Sequence, residues 1–213
     1  MNSGSIVGCV GFDYYNGAYY ASTSGSLHVI GINAVLNGGT VQDICVQAPH
    51  FTLGDATIQG TVDFIMQDTD IYGHDSSVSG VFNCDVLNRG ILNGDATFYG
   101  NVTNTGTICG GTFYGSVTGG SISDSAKVDV TFDTDGGSAV ATQKVIRGQK
   151  AASPTAPTKA GYTFDKWYNG TEVYDFNQPV TEPITLTAKW LTGEGTAASP
   201  ILISNAEELK AFH

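Results

Sequence analysis

The phrase T-F-Y-G-N-V at 97–102 returns as T-F-Y-G-S-V at 112–117, fifteen residues on. Its longer form, GDATFYGNV at 94–102, stands forty residues earlier as GDATIQGTV at 54–62, and DIYGHDSSV at 70–78 is a weaker echo. Between the strong copies a Gly precedes an Ile at Gly90-Ile91, Gly106-Thr107-Ile108 and Gly120-Ser121-Ile122. A unit of about 15 residues makes only two or three strands of a few residues each and cannot bury its own apolar side chains. Stacking copies buries them, because each strand then pairs with its equivalent one rung away, about 4.8 Å along the axis. This pattern predicts a short-rung β-solenoid over residues 1–125. Val102, Ile108, Phe113, Val117 and Ile122 fall at inward-facing positions, while Gly and Asn fall at corners read as needing positive φ. A β-sandwich of meandering hairpins is the alternative that the same turn-rich composition permits. Near the start, FDYYNGAYYAST reads as a hairpin closed by Asn16-Gly17, placed to cap the open end of the stack.

Composition supports a strand-and-turn first half. Residues 1–126 hold no Lys and no Glu, one basic residue (Arg89), one Pro (Pro49), ten Asp and 21 of the 28 Gly. Good helix formers are almost missing there, and short Val/Ile/Phe/Tyr pieces alternate with Gly, Asn, Asp, Ser and Thr. From Lys127 onward Lys, Glu and Pro return. The chain is therefore read as a first domain over 1–125, a second over 126–191, and a linker with the start of a following module over 192–213. A capping box at Ser204-Asn205-Ala206-Glu207, with Leu209 and Phe212 as a first apolar stripe, predicts the opening of a helix too short to stand alone. The expectation is a piece of a longer protein.

A net charge of −11 with nine Lys plus Arg provides no basic patch for phosphate backbones or anionic lipid, so nucleic acid and membrane surfaces are poor partners. No apolar run reaches the roughly 20 residues that a membrane-spanning helix needs.

The second half carries a legible strand order. Val128, Val130 and Phe132 share one face of VDVTFDT; Gly136-Gly137 turns; SAVATQKVI reads as a strand. A loop bearing Pro154 and Pro157 follows, then GYTFDKWY, an Asn169-Gly170 turn, TEVYDF and PITLTAKW. The phrases F-D-T-D-G-G-S, G-Y-T-F-D-K-W-Y, Y-D-F-N-Q-P-V-T and I-T-L-T-A-K-W resemble the Listeria and Bacteroides repeat, the B-repeat module of internalins, over about 65 residues at 128–190. Lys166 stands before Trp167 where that family commonly has Gly. The resemblance implies a small β-grasp-like fold that serves as a spacer or interaction module in secreted multidomain proteins.

Candidate site residues are few. Asp133-Thr134-Asp135-Gly136 begins like a calcium loop, but position 144, where a closing Glu belongs, is Lys, so turn chemistry is the better reading. Cys9, Cys45, Cys84 and Cys109 are spaced 36, 39 and 25 apart with no C-x-x-C pair, which argues against zinc. They are read as small buried ladder positions, with a disulfide or a reactive thiol as alternatives. His28, His50 and His74 show no mutual spacing of a site, and Trp167 and Trp190 alternate with strand apolars as core residues. The sequence offers no metal or cofactor signature.

The tyrosines are more open. Alternation in F-Y-G sets Phe98 and Phe113 on one face and Tyr99 and Tyr114 on the other, so the two tyrosines stack outward. With Tyr14 and Tyr19 near the start, they are candidate glycan contacts, since aromatic faces cover apolar sugar faces; cross-strand packing is the simpler role.

Three functions compete. A lyase acting on acidic sugars needs cations, and the first half has only Arg89. A glycoside hydrolase needs two carboxylates about 5 to 10 Å apart, for which Asp68 with Asp70, or Asp55 with Asp95, are the candidates; the repeat equivalence of Asp55 and Asp95 favours a turn role. The favoured expectation is a non-enzymatic stalk or adhesion segment of a secreted or cell-surface bacterial protein, contacting a host protein or polysaccharide. A self-associating fibre segment is the other non-enzymatic reading.

Overall fold

The computed structural model describes residues 43–46, 51–53, 57–64 and 77–203 with their side chains, together with Leu209. It describes the backbone of the strands at 10–11, 18–21, 26–30, 33–36 and 40–41 and of His50. Two compact units result: residues 1–127 with 146–149, and residues 128–145 with 150–213.

In the first unit, the strands Val62–Phe64, Val86–Asn88, Val102–Asn104 and Val117–Thr118 are consecutive neighbours in an eight-stranded sheet. Their pairing is parallel and in register: Val62 with Val86, Val86 with Val102, Val102 with Val117. Two further ladders run beside it. Thr97–Phe98 pairs with Thr112–Phe113, and Ile91–Leu92 pairs with Thr107–Ile108 and then Ser121–Ile122. From Val86 onward the chain thus visits three ladders in turn and returns to each after 14 to 16 residues (86 to 102, 102 to 117, 107 to 121). Parallel return at that interval is what stacked rungs require; among these strands antiparallel pairing, which meandering hairpins require, is confined to residues 10–30.

The repeated phrase fixes the core. Phe82, Phe98 and Phe113 are fully buried and stack at centroid distances of 5.0 and 4.9 Å, with ring planes 19° and 6° apart. Phe51, Phe64 and Phe82 meet instead at steep or tilted angles, where the repeat is less regular. Val102 and Ile108 are buried as expected, and Val117 and Ile122, on the last rung, pack half-buried against the same core.

Asparagine does not do what the sequence reading assigned to it. Asn88 and Asn104 are buried inside strands, and among the described residues the only non-glycine with positive φ is Asp135. Their amides form a ladder: Asn88 Nδ2 donates to Asn104 Oδ1 at 2.8 Å, and Asn104 Nδ2 donates to the Ser121 carbonyl at 3.1 Å. Each Oδ1 also accepts the amide N–H two residues on, at Gly90 and Gly106. A buried amide is stable only when its donors and acceptors are met, and stacking copies of one residue meets them. Positive φ in the first unit is taken by glycines instead, with Gly80, Gly94 and Gly111 all near +105° and Gly80 inside the strand Ser77–Phe82. An added Cβ at Gly94 would lie 2.3 Å from the Val78 carbonyl oxygen, so no other residue fits there.

The strands flanking the first hairpin pair antiparallel, Val10 with Tyr20 and Gly11 with Tyr19; the expected Asn16-Gly17 turn lies outside the described residues. Ala18–Ala21 pairs antiparallel with Ser26–Ile30, which then joins Asp43–Val46 in parallel, so the hairpin covers the first edge of the large sheet.

The second unit holds a mixed sheet in which Lys127–Asp133 lies beside Gln143–Ile146 on one side and Ile184–Thr192 on the other, followed by Tyr162–Asn169 and Glu172–Val173. The first and last strands run parallel, Val130 opposite Ile184, while the connection 147–161 is irregular and carries no helix. Phe132, Trp167, Val130 and Leu186 centre the core. Three sequence expectations shift. SAVATQKVI is a strand only at Gln143–Ile146, because Ser138 is held away by bonds to Thr158. TEVYDF is a strand only at Glu172–Val173, beyond which Asp175 caps a turn at Asn177. The Asn169-Gly170 turn has Gly170 and Thr171 as its central pair, since Asn169 faces Glu172; Gly170 has φ +62°. Residues 193–203 fold back on the sheet, with the Leu202 N–H donating to the Thr192 carbonyl. The expected helix start at 204–207 lies outside the described residues.

Candidate functional site

The strand Thr97–Phe98 ends where Tyr99 turns outward, and Thr112–Phe113 ends at Tyr114 in the same way. Backbone pairing sets the column: the Tyr99 N–H donates to the Phe82 carbonyl and the Tyr114 N–H to the Phe98 carbonyl, each at 2.8 Å. With Phe98 and Phe113 pointing in, the next residue must point out. The two phenol rings stack at 4.9 Å with planes 10° apart, and they remain 55% and 41% exposed. This is the arrangement that the F-Y-G alternation predicts.

The stacking limits what the pair can do. Each ring covers one face of the other, so a ligand can reach the outer faces, the ring edges and the hydroxyls. The preceding rung carries the smaller, exposed Asn83 in the same column, since Phe82 is in register with Phe98. No third ring extends the stack on that side.

A polar ladder that the sequence reading missed lies two residues further along. The Asn101 N–H and Nδ2 donate to Asp85 Oδ1 at 2.8 and 3.3 Å, and the Ser116 N–H and Oγ donate to Asn101 Oδ1 at 3.2 and 2.8 Å. The same corner one rung further back has Thr61 N–H donating to Asp43 Oδ1 at 2.8 Å. Asp85, Asn101 and Ser116 are all exposed. Their signal was present in the phrases Y-G-N and Y-G-S, where the residue two past the tyrosine is polar in both copies. Ring pair and polar corner together form a surface strip with apolar edges and hydrogen-bonding groups.

The other candidates fall elsewhere. Tyr19 lies on Ala18–Ala21, described by backbone alone, and Tyr14 lies outside the described residues. Cys9, His74, Asp55, Asp68 and Asp70 also lie outside them; Asp95 is exposed. His28 and His50 sit on strands and are themselves described by backbone alone.

Cys45, Cys84 and Cys109 are half-buried, so the buried reading needs correction. Ile44 and Val46 point inward, which puts Cys45 between them on the outer face. Burial, then the nearby Asp63 carboxylate, push its thiol up against the opposing pull of Arg89; burial is also the main cause raising Cys84. A raised thiol is a poor nucleophile.

In Asp133-Thr134-Asp135-Gly136, Asp135 and Gly136 both have positive φ and the Gly137 N–H donates to the Thr134 carbonyl, which is a tight turn. Asp133 Oδ1 is engaged by the Asp135 N–H. Trp167 is buried, and Trp190, half-buried, donates its indole N–H to the Thr134 carbonyl. Lys159 Nζ lies 4.8 Å from the Tyr162 ring centre and 5.5 Å from that of Trp190, so these aromatics are occupied as parts of the fold. An open recess in the second unit is floored by Tyr174, Val180 and Ile184 and edged by Glu172, Asp175 and Glu182. Among the described residues no cluster of three His, Cys, Asp or Glu is placed to hold a metal, and no helix is long and apolar enough to cross a membrane.

Residues 129–189 match the sequence model of the Listeria-Bacteroides repeat domain. A protein of Evansella cellulosilytica, provisionally named a membrane protein, is 42% identical over 65 residues, which is 29% of this chain and 10% of that protein. The chain thus aligns with about a tenth of that relative's length. No solved structure matches the chain.

Proposed function

We propose that this chain is a segment of a secreted or cell-surface bacterial protein, in which the stacked-rung unit serves as a stalk and adhesive surface and the repeat domain as a spacer or interaction module. The observation that carries the reading is the Listeria-Bacteroides repeat at 129–189, supported by its similarity to a protein named for the membrane. The contact surface is the strip of Tyr99, Tyr114, Asp85, Asn101 and Ser116. It suits an uncharged or weakly cationic glycan, whose ring hydrogens meet the tyrosine edges and outer faces and whose hydroxyls meet the Asx corner. The net charge of −11 opposes acidic polysaccharides.

An array of plant, bacterial and host glycans probed with the whole chain tests this directly. Retention on neutral glycans that falls at least tenfold in Tyr99→Ala/Tyr114→Ala, with the fold intact, supports the contact. Equal retention by wild type and variant moves the contact elsewhere, and no retention on any glycan leaves a spacer without this adhesive role. Labelling of intact cells with an antibody to the chain tests its location; a signal that needs cell lysis contradicts it.

A further inference from the structure

The last rung of the first unit should end in an open edge, yet one of its three strands is covered. In the preceding rungs, the carbonyl of each stacked phenylalanine accepts a backbone N–H from the next rung: Phe82 from Tyr99, Phe98 from Tyr114. After Phe113 no further rung follows. Its carbonyl is met by the side-chain amide of Gln149, which also donates to the Gly115 carbonyl at 2.8 Å. The Phe113 N–H donates to the Arg147 carbonyl at 2.8 Å, and the Arg147 N–H donates to the Ala126 carbonyl at 3.0 Å. Ile146 packs on the phenylalanine core, and residues 146–149 belong to the first unit. Between them Gly148, at φ +91°, lies so close to Phe113 that an added Cβ would sit 2.6 to 2.8 Å from its backbone oxygen, nitrogen and carbon.

We propose that the strap at 146–149 is the terminal cap of the stack, and that the Thr112–Phe113 edge it covers is a surface on which a second copy of this chain would otherwise stack head to tail. The Gln149 amide stands in for the backbone donor of the missing rung. The choice of partner follows from the ladders. The first-rung strands Asn33–Leu36 and Thr40–Val41 have no described strand on their outer side, so each copy offers the start of a parallel ladder to the end of another. Such a contact joins two different surfaces, does not close, and would grow into a filament. With the strap in place, the chain is a stacked-rung protein held as a monomer.

Gly148→Val in the whole chain tests this, since the new side chain cannot fit against Phe113. The expected result is at least a tenfold rise in hydrogen exchange at the Phe113 amide and larger species in sedimentation that grow with concentration. Emission from Trp167 and Trp190, both in the second unit, should stay unchanged. A Gly148→Val chain that folds and stays monomeric at the highest concentration, or one whose Phe113 amide is as protected as in wild type, overturns the proposal. So does a wild-type chain that already assembles. Should Gly148→Val disturb the tryptophans, Gln149→Ala decides: it leaves the backbone free to fold, and absence of both effects in it is equally fatal.

Discussion

Replacing Asn104 by Ala removes the centre of the buried amide ladder, and its cost can be worked from the bonds it breaks. Asn104 Oδ1 accepts from Asn88 Nδ2 and the Gly106 N–H, while its Nδ2 donates to the Ser121 and Gly119 carbonyls, the latter at a weak 3.4 Å. Asn88 keeps two other acceptors, the Gly90 and Thr107 carbonyls, and the Gly106 N–H keeps the Asn88 carbonyl at 3.3 Å. The groups that lose their best partner are therefore the part-buried Ser121 carbonyl and the Asn88 amide, whose remaining bonds at 3.3 and 3.2 Å are longer than the 2.8 Å one lost. At about 1 to 3 kcal/mol for each buried group stranded, the loss is roughly 3 to 4 kcal/mol. With a urea slope of about 2 kcal/mol per molar, the midpoint falls by roughly 1.5 to 2 M. The assay must separate the units. Both tryptophans lie in the second, so their emission should keep its midpoint while circular dichroism of the strands shows the early loss of the first. Asn101→Ala, in the exposed corner ladder, should cost at most about 1 kcal/mol. If Asn104→Ala costs no more than Asn101→Ala, the buried-ladder reasoning is wrong.

Phe98→Ala, at the middle of the phenylalanine stack, should destabilise the first unit by about 3 to 5 kcal/mol, whereas Tyr99→Ala, its outward neighbour, should cost about 1 kcal/mol or less; parallel urea titrations compare them. Gly137→Ala should lower the stability of the second unit by about 1 to 3 kcal/mol and alter tryptophan emission, because the new Cβ would sit 2.5 Å from the Trp190 ring. Burial raises the Cys45 and Cys84 thiols above their value in the unfolded chain, so the unfolded chain releases its protons first as pH rises. Their contribution to stability is complete below the ordinary thiol range and is lost as pH climbs through the folded values. Urea midpoints taken up into the alkaline range should fall less in Cys45→Ser/Cys84→Ser than in wild type.

How much was legible before the structure depended on whether neighbours repeat. Phe98, Phe113, Tyr99 and Tyr114 were placed correctly because two copies of one phrase impose the same in-out alternation on adjacent rungs. Asparagine as a residue type was expected at corners because a single asparagine reads as a turn former; Asn88 and Asn104 are buried in strands because each stacks on an equivalent residue or carbonyl one rung away that meets its amide. The Arg147–Gln149 strap was hidden for a related reason: it lies within the second domain's strand order, yet its bonds belong to the first unit. Cys45 read as a buried ladder residue from its Ile and Val neighbours, which take both inward positions and leave it the outer face. The polar corner beside the tyrosines was visible as Y-G-N and Y-G-S, but the backbone N–H groups it satisfies are contributed by the next rung and have no trace in local sequence.

The central claim is that the two T-F-Y-G phrases are adjacent parallel rungs, which is what places Tyr99 and Tyr114 side by side at the surface. The most direct test is the scalar coupling across the hydrogen bond from the Tyr114 N–H to the Phe98 carbonyl, measured by nuclear magnetic resonance on the whole chain. The account predicts that coupling, together with close contacts between the Phe98 and Phe113 rings. A Tyr114 N–H coupled to any other carbonyl, or an antiparallel contact pattern between 97–99 and 112–114, would contradict it.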